Sequence, residues 1–172
     1  HWWFEGIMWL DLVIRKSCYD QKVFKFITPP EYLKLYDKFQ VIEPSASTWG
    51  DKGFSEVWLN GSNDWIYPHL HTMAERMTEV ANSHPSAEGE MKEALNHLAR
   101  ELLLAQASDW PFMMTCNTFG HYASQRVKDH IDRFNALYEM IKGGCTHMLW
   151  INRRRAQYNL FPDVDYKVYR TI

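Results

Sequence analysis

Three long stretches repeat apolar residues at steps of three and four, and that spacing commits most of the chain to helix. The clearest runs from about Ser86 to Ala107, with Met91, Leu95, Leu98, Leu102 and Ala105 on one stripe. A second, from about Asp64 to Asn82, aligns Ile66, Leu70, Met73, Met77 and Val80. Pro68 falls inside it. A proline past the first turn removes a hydrogen bond and crowds the preceding turn, which favours a regular start at Pro68 after a separate turn. The third spans about Phe119 to Lys142, with Tyr122 or Ala123, then Val127, Ile131, Phe134, Tyr138 and Ile141 inward, and Gly143-Gly144 as its stop. The expected fold class is mainly α, a helical bundle of about three long helices.

Around this bundle the pattern is less regular. Trp2 to Lys16 carries Trp3, Ile7, Leu10 and Ile14 at helical spacing, and a helix is expected there, ending near Ser17. Lys22 to Ile27 alternates and suits a short strand. Thr28-Pro29-Pro30-Glu31 has the form of a reciprocal helix cap, so a short helix should follow to about Lys38. Gln40 to Asn63 is rich in Pro, Ser, Gly and Asn yet holds Trp49, Phe54 and Trp58, which argues for an ordered loop. Pro111 should end the central helix near Trp110. After Trp150 and Arg153-Arg154-Arg155 the chain should run on as an extended tail, NLFPDVDYKVY.

Composition narrows the function classes. The 172 residues carry a net charge of -2 from 19 basic and 21 acidic side chains, which leaves no electrostatic footprint for nucleic acid or an anionic membrane. No apolar run approaches the roughly 18 residues of a membrane helix. Three cysteines, widely spaced and odd in number, fit a reducing, cytoplasmic compartment rather than a disulfide framework. The chain begins at His1 without a signal-peptide pattern and is expected to be an excised piece of a longer protein. Aromatic residues reach 15%, eight of them tryptophan. Many lie beside Gly, Ser, Asn and Asp. Rings in polar loops suit a sugar, whose ring has an apolar C–H face and a hydroxyl rim.

The chemistry-bearing residues exclude more than they select. His69 and His71 are two apart, no HExxH occurs, and no Cys/His set has zinc spacing, so neither metal nor cofactor is expected. Nucleotide and nucleophile-elbow motifs are absent. The arginine triplet reads as a solvated face or as carboxylate partners. Glu5, Glu56, Asp64 and Asp109 are candidate carboxylates, but spacing pairs none of them for glycoside chemistry. Asp109, in Ser108-Asp109-Trp110-Pro111, is either a helix-ending turn or an acceptor for sugar hydroxyls beside a stacking ring. Trp49 and Trp58, with Trp65 just beyond, either plug the core or form a sugar platform.

At these residues the chain resembles the family-57 glycoside hydrolases, and within them the glucan branching enzymes. HWWFEG is similar to the end of the fourth conserved region, where a catalytic Asp lies a few residues before a Gly-His-Trp-Trp run. STWGDKGFSEVWLNGSNDWIYPHLH resembles the loop of substrate-lining tryptophans, LLLAQASDWPF the fifth conserved region, and NLFPDVDYKVY the natural C-terminus. The segment CNTFGHYASQ and Pro68 depart from the family pattern.

The resemblance implies a distorted (β/α) barrel, absent from this chain, on which the helical region packs. Residues 1–28 would close the barrel region and 29–172 would form the C-terminal helical domain. It implies a retaining transfer of an α-1,4-glucan chain to a 6-hydroxyl, in cytoplasmic glycogen biosynthesis. Both catalytic carboxylates would precede His1, so no residue here is assigned a catalytic role and the fragment alone is expected to be inactive. Trp49, Trp58, Asp109, Trp110, His1, Trp2 and Trp3 would line the glucan cleft. The partners implied are an α-1,4-glucan and the N-terminal barrel of the same protein. An α-amylase or 4-α-glucanotransferase of the same family, a non-catalytic glucan-binding fragment, and a ligand-free bundle are the rival readings.

Overall fold

The computed structural model describes residues 4–171. Two compact units divide at Ser45, His1–Ser45 and Ala46–Ile172.

The first unit holds α1 (Gly6–Cys18) and α2 (Pro29–Leu35). Thr28 caps α2 as its sequence requires: its Oγ1 accepts from the Glu31 amide, and the Glu31 carboxylate accepts from the Thr28 amide at 2.7 Å. That reciprocal bonding holds the Glu31 carboxyl below its usual pKa, with the Thr28 backbone as main cause and the Thr28 hydroxyl second. Residues 22–27 form no strand. A strand needs a partner to take its amides, and here the Gln21 side chain takes them instead, its Oε1 accepting from Val23 at 2.8 Å and Phe24 at 3.1 Å. Along α1, Ile7, Trp9 and Leu12 are all more than half exposed.

The second unit is the bundle. Its long helices are α3 (Ile66–Ser83), α4 (Gly89–Ala105) and α6 (Gly120–Lys142), each packed on the other two. The expected stripes form the core: Ile66, Leu70, Met73, Met77 and Val80 from α3, Leu95, Leu98, Leu102 and Ala105 from α4, and Ala123, Val127, Ile131, Phe134, Tyr138 and Ile141 from α6 are all buried. Tyr122 is exposed, so Ala123 leads the α6 stripe. Ten of the seventeen residues of α4 are buried, which makes it the central helix and forces polar side chains inside with it.

Prolines behave differently from the expectation. Helix α3 begins at Ile66, so Pro68 lies in its first turn, where amides have no partner within the helix to lose. Pro111 likewise does not stop α4, which ends at Ala105. It sits third in a separate short helix, α5 (Asp109–Thr115), which packs on α6. Asp109 therefore opens a helix rather than closing one. The two glycines after α6 complete a Schellman end: Gly144 adopts φ +67°, its amide reaches Ile141 O at 3.0 Å, and Cys145 N reaches Met140 O at 2.9 Å.

Ahead of the tail, Met148–Gln157 forms α7, containing the arginine triplet, and within NLFPDVDYKVY the expected extension gives way to a 3-10 turn at Tyr166–Tyr169. Arg155 pairs with Glu93 of α4 at 3.0 Å, and Arg154 lies over Trp150. Tyr166 is fully buried. Its hydroxyl donates to His84 O at 2.5 Å and accepts from Ala87 N at 3.1 Å, so the tail bridges the turn between α3 and α4. No strand occurs among the described residues.

Candidate functional site

Residues 46–65, ahead of α3, form an ordered loop built from turns. Thr48 N bonds Gly53 O at 2.6 Å, and Ser55 N bonds Thr48 Oγ1 at 2.7 Å. Gly50 holds φ +88°, and a Cβ there would lie 3.3 Å from Val57 Cγ2, so both backbone and space favour glycine. The Tyr67 hydroxyl donates to Trp58 O, and burial raises its pKa, keeping it a donor.

This loop brings Trp49 and Trp58 against α5. The two indoles have centroids 6.1 Å apart, and Phe112 stands 6.1 Å from Trp49 and 6.3 Å from Trp58. These three rings, Ser108 and Asp109 line one hollow of about 290 Å³. Trp49 is 74% exposed, so it is no core plug. Trp58 also borders a second, smaller hollow of about 130 Å³ with Tyr67, Leu70, Ser108 and Pro111. Asp109 and Phe112 share a helix face because they are three residues apart on α5.

The arrangement can stack a flat apolar ring face and accept hydroxyl hydrogens at the Asp109 carboxylate. Asp109 is the one carboxylate among the five lining residues, so the hollow lacks the facing acid pair that cleavage of a glycosidic bond needs.

Other residues named from the sequence lie elsewhere. Trp110, one position along α5, turns toward α6: its Nε1–H donates to Leu104 O at 2.7 Å and its ring meets Tyr122 edge-on at 6.3 Å. Trp65 packs on the core with Lys128 Nζ 5.6 Å from its ring centroid. His1, Trp2 and Trp3 lie outside the described residues. His69 and His71 are exposed, and no metal-ligating cluster occurs among the described residues.

Sequence reasoning missed a buried polar chain between α4 and α6. Glu101 is fully buried and accepts from His130 Nδ1 at 2.6 Å, while His97 Nε2 lies 3.4 Å from its other oxygen. The far nitrogen of each imidazole takes an arginine N–H, His97 from Arg100 at 3.0 Å and His130 from Arg126 at 3.1 Å. An arginine only donates, so those nitrogens are bare and both rings are neutral. Burial pushes His97 down to about 4, with Glu101 opposing and Arg100, Arg133 and Arg155 reinforcing. Arg100 extends the chain to the carbonyls of Leu160 and Phe161 at 2.6 and 3.1 Å, and its own pKa is lowered, chiefly by burial. Arg126 reaches the Tyr158 hydroxyl at 2.7 Å. Burial works against ionisation of Tyr158, but Arg126 and Arg133 outweigh it and lower its pKa.

The fold and hollow define a class: an all-helical domain, with α4 at its centre, presenting a ring-lined hollow built from one loop and one short helix. Residues 69–169 match the family described as 1,4-alpha-glucan branching enzyme, C-terminal, and the chain belongs to that family. A 1,4-alpha-glucan branching enzyme of Thermococcus kodakarensis is 32% identical over 139 residues, covering 80% of this chain and 20% of the relative. Among solved structures, a family-57 branching enzyme of the same organism, in complex with glucose and additives, superposes with TM-score 0.76 at 28% identity, covering 99% of this chain and 32% of that one. The alpha-amylase AmyC of Thermotoga maritima superposes with TM-score 0.68 at 32% identity, covering 100% of this chain and 32% of that one. The chain thus spans about a fifth to a third of the length of these relatives.

Proposed function

We propose that this chain is the C-terminal part of a 1,4-α-glucan branching enzyme, and that its ring-lined hollow binds the α-1,4-glucan chain during transfer to a 6-hydroxyl. The observation that carries the reading is the convergence of Trp49, Trp58, Phe112 and Asp109 on one hollow, from stretches about fifty residues or more apart. Stacked rings supply affinity along a glucan and keep water from the reacting end, and a carboxylate at the rim orients the hydroxyls. The reading assigns the two transfer carboxylates to the portion of the longer proteins that this chain does not span, with residues 1–28 adjoining that portion and 29–172 forming the helical domain. His1, Trp2 and Trp3 belong to the proposed glucan-contacting set through the family resemblance; Trp110 stands outside the hollow, turned toward α6. A cytoplasmic place in glycogen synthesis is part of the same proposal, supported by three exposed, unpaired cysteines.

Calorimetric titration of the chain with maltoheptaose tests the binding reading. Wild type should bind, and Trp49→Ala should weaken binding about tenfold or more, the scale of losing one well-stacked ring. Equal affinity of the two proteins would overturn it. The likeness to the Thermotoga amylase favours hydrolysis as a second reading for the whole protein. Product analysis of that protein for α-1,6 linkages separates transfer from hydrolysis.

A further inference from the structure

We propose that Thr115 and Asn63 are positioning residues for the hollow, clamping its tryptophan loop to its helix; this rests on the glucan-binding reading. One wall, Trp49 and Trp58, rides on irregular backbone. The other, Asp109 and Phe112, rides on α5. A binding geometry shared between a loop and a helix holds only if something ties the two together.

The tie is a side-chain hub behind the rings. Thr115 Oγ1 accepts from Asn63 Nδ2 at 2.9 Å and from Asn60 Nδ2 at 2.8 Å, and donates to Val57 O at 2.6 Å, with Pro111 O at 3.0 Å. Asn63 is fully buried, and its Nδ2 also reaches Val57 O and Pro111 O, each at 3.2 Å. Its Oδ1 accepts from Asn60 N at 2.9 Å. Val57 directly precedes Trp58, and Pro111 directly precedes Phe112. The hub therefore bonds the backbone beside a ring on each wall. None of Asn60, Asn63 or Thr115 lines the hollow, so they act through Trp58 and Phe112 rather than on the sugar.

The test compares Thr115→Val, which keeps the shape and loses the hydroxyl, with Thr115→Ser, which restores it. Maltoheptaose affinity and amide hydrogen exchange over residues 48–63 are read on both. In Thr115→Val the loop leaves its competent conformation more often, so affinity falls about three- to tenfold. The Trp58 and Leu59 amides exchange faster while those of α4 do not, and Thr115→Ser returns both readouts to near wild type. Unchanged affinity together with unchanged loop exchange in Thr115→Val overturns the inference, as does a serine variant no better than valine. If Thr115→Val does not fold, Asn60→Ala, at a half-buried member of the hub, carries the same comparison. A Trp49→Ala variant that binds like wild type would sink the glucan reading instead, and loop exchange would still decide the clamp.

Discussion

Replacing Glu101 by Gln probes the bundle where it is least forgiving. The two side chains have the same shape, so packing is preserved. The carboxylate faces two imidazole N–H groups, His130 at 2.6 Å and His97 at 3.4 Å. A glutamine oxygen keeps one of them and turns its own amide hydrogens on the other, donor against donor. Neither ring escapes by moving its proton, because its second nitrogen already takes an N–H from Arg100 or Arg126. The change also removes the one negative charge between the buried guanidinium of Arg100 and the half-buried one of Arg126. Setting a buried imidazole N–H against another donor costs about 1–3 kcal/mol. For a unit of this size each kcal/mol moves the melting temperature by about 4 °C, so Glu101→Gln should melt about 4–12 °C below wild type. Thermal melts followed by circular dichroism at pH 7.5 read this directly. Glu93→Gln serves as control, since the exposed pair with Arg155 contributes under about 1 kcal/mol. A Glu101→Gln melt within about 3 °C of wild type, or a fall no larger than the control's, would refute the shared-carboxylate account.

Two further outcomes follow from the same interior. Folding lowers His97 from 6.5 to about 4, so below pH 6.5 the unfolded chain takes a proton that the folded chain refuses. Stability from this ring is complete above pH 6.5 and drains by about 3 kcal/mol as pH falls to about 4; urea unfolding at several pH values should show that loss, and His97→Gln should flatten it. Tyr166→Phe strands the His84 carbonyl and the Ala87 amide, costing about 1–3 kcal/mol, and an unmoved denaturation midpoint would count against the tail's structural role.

The parts legible in the sequence are those with strong local signals. The stripes of α3, α4 and α6 repeat over four or more turns, Thr28 and Glu31 spell a cap, and Gly143-Gly144 spells an end. Residues 22–27 misled because alternation says nothing of whether a partner strand exists. Pro68 and Pro111 misled because a proline's effect depends on its distance from the helix start, which sequence places only to within a few residues. Missing α5 hid Phe112, whose spacing from Asp109 is visible once a helix is assumed there. The buried polar chain was missed because His, Glu and Arg are exposed by default. A signal existed: His97 and Glu101 are four apart and flanked by Leu95, Leu98 and Leu102, leaving α4 too little outward face for both.

That polar chain also settles which of several apolar packings the helices adopt. A one-turn slide of α6 along α4 would still press alanine, valine and leucine together, much as before. It would carry His130 about 5.4 Å from Glu101 and leave the His130 Nδ1–H without its acceptor in a dry interior. The greasy surfaces supply adhesion without alignment. Five polar side chains in a row act as the key that admits one register.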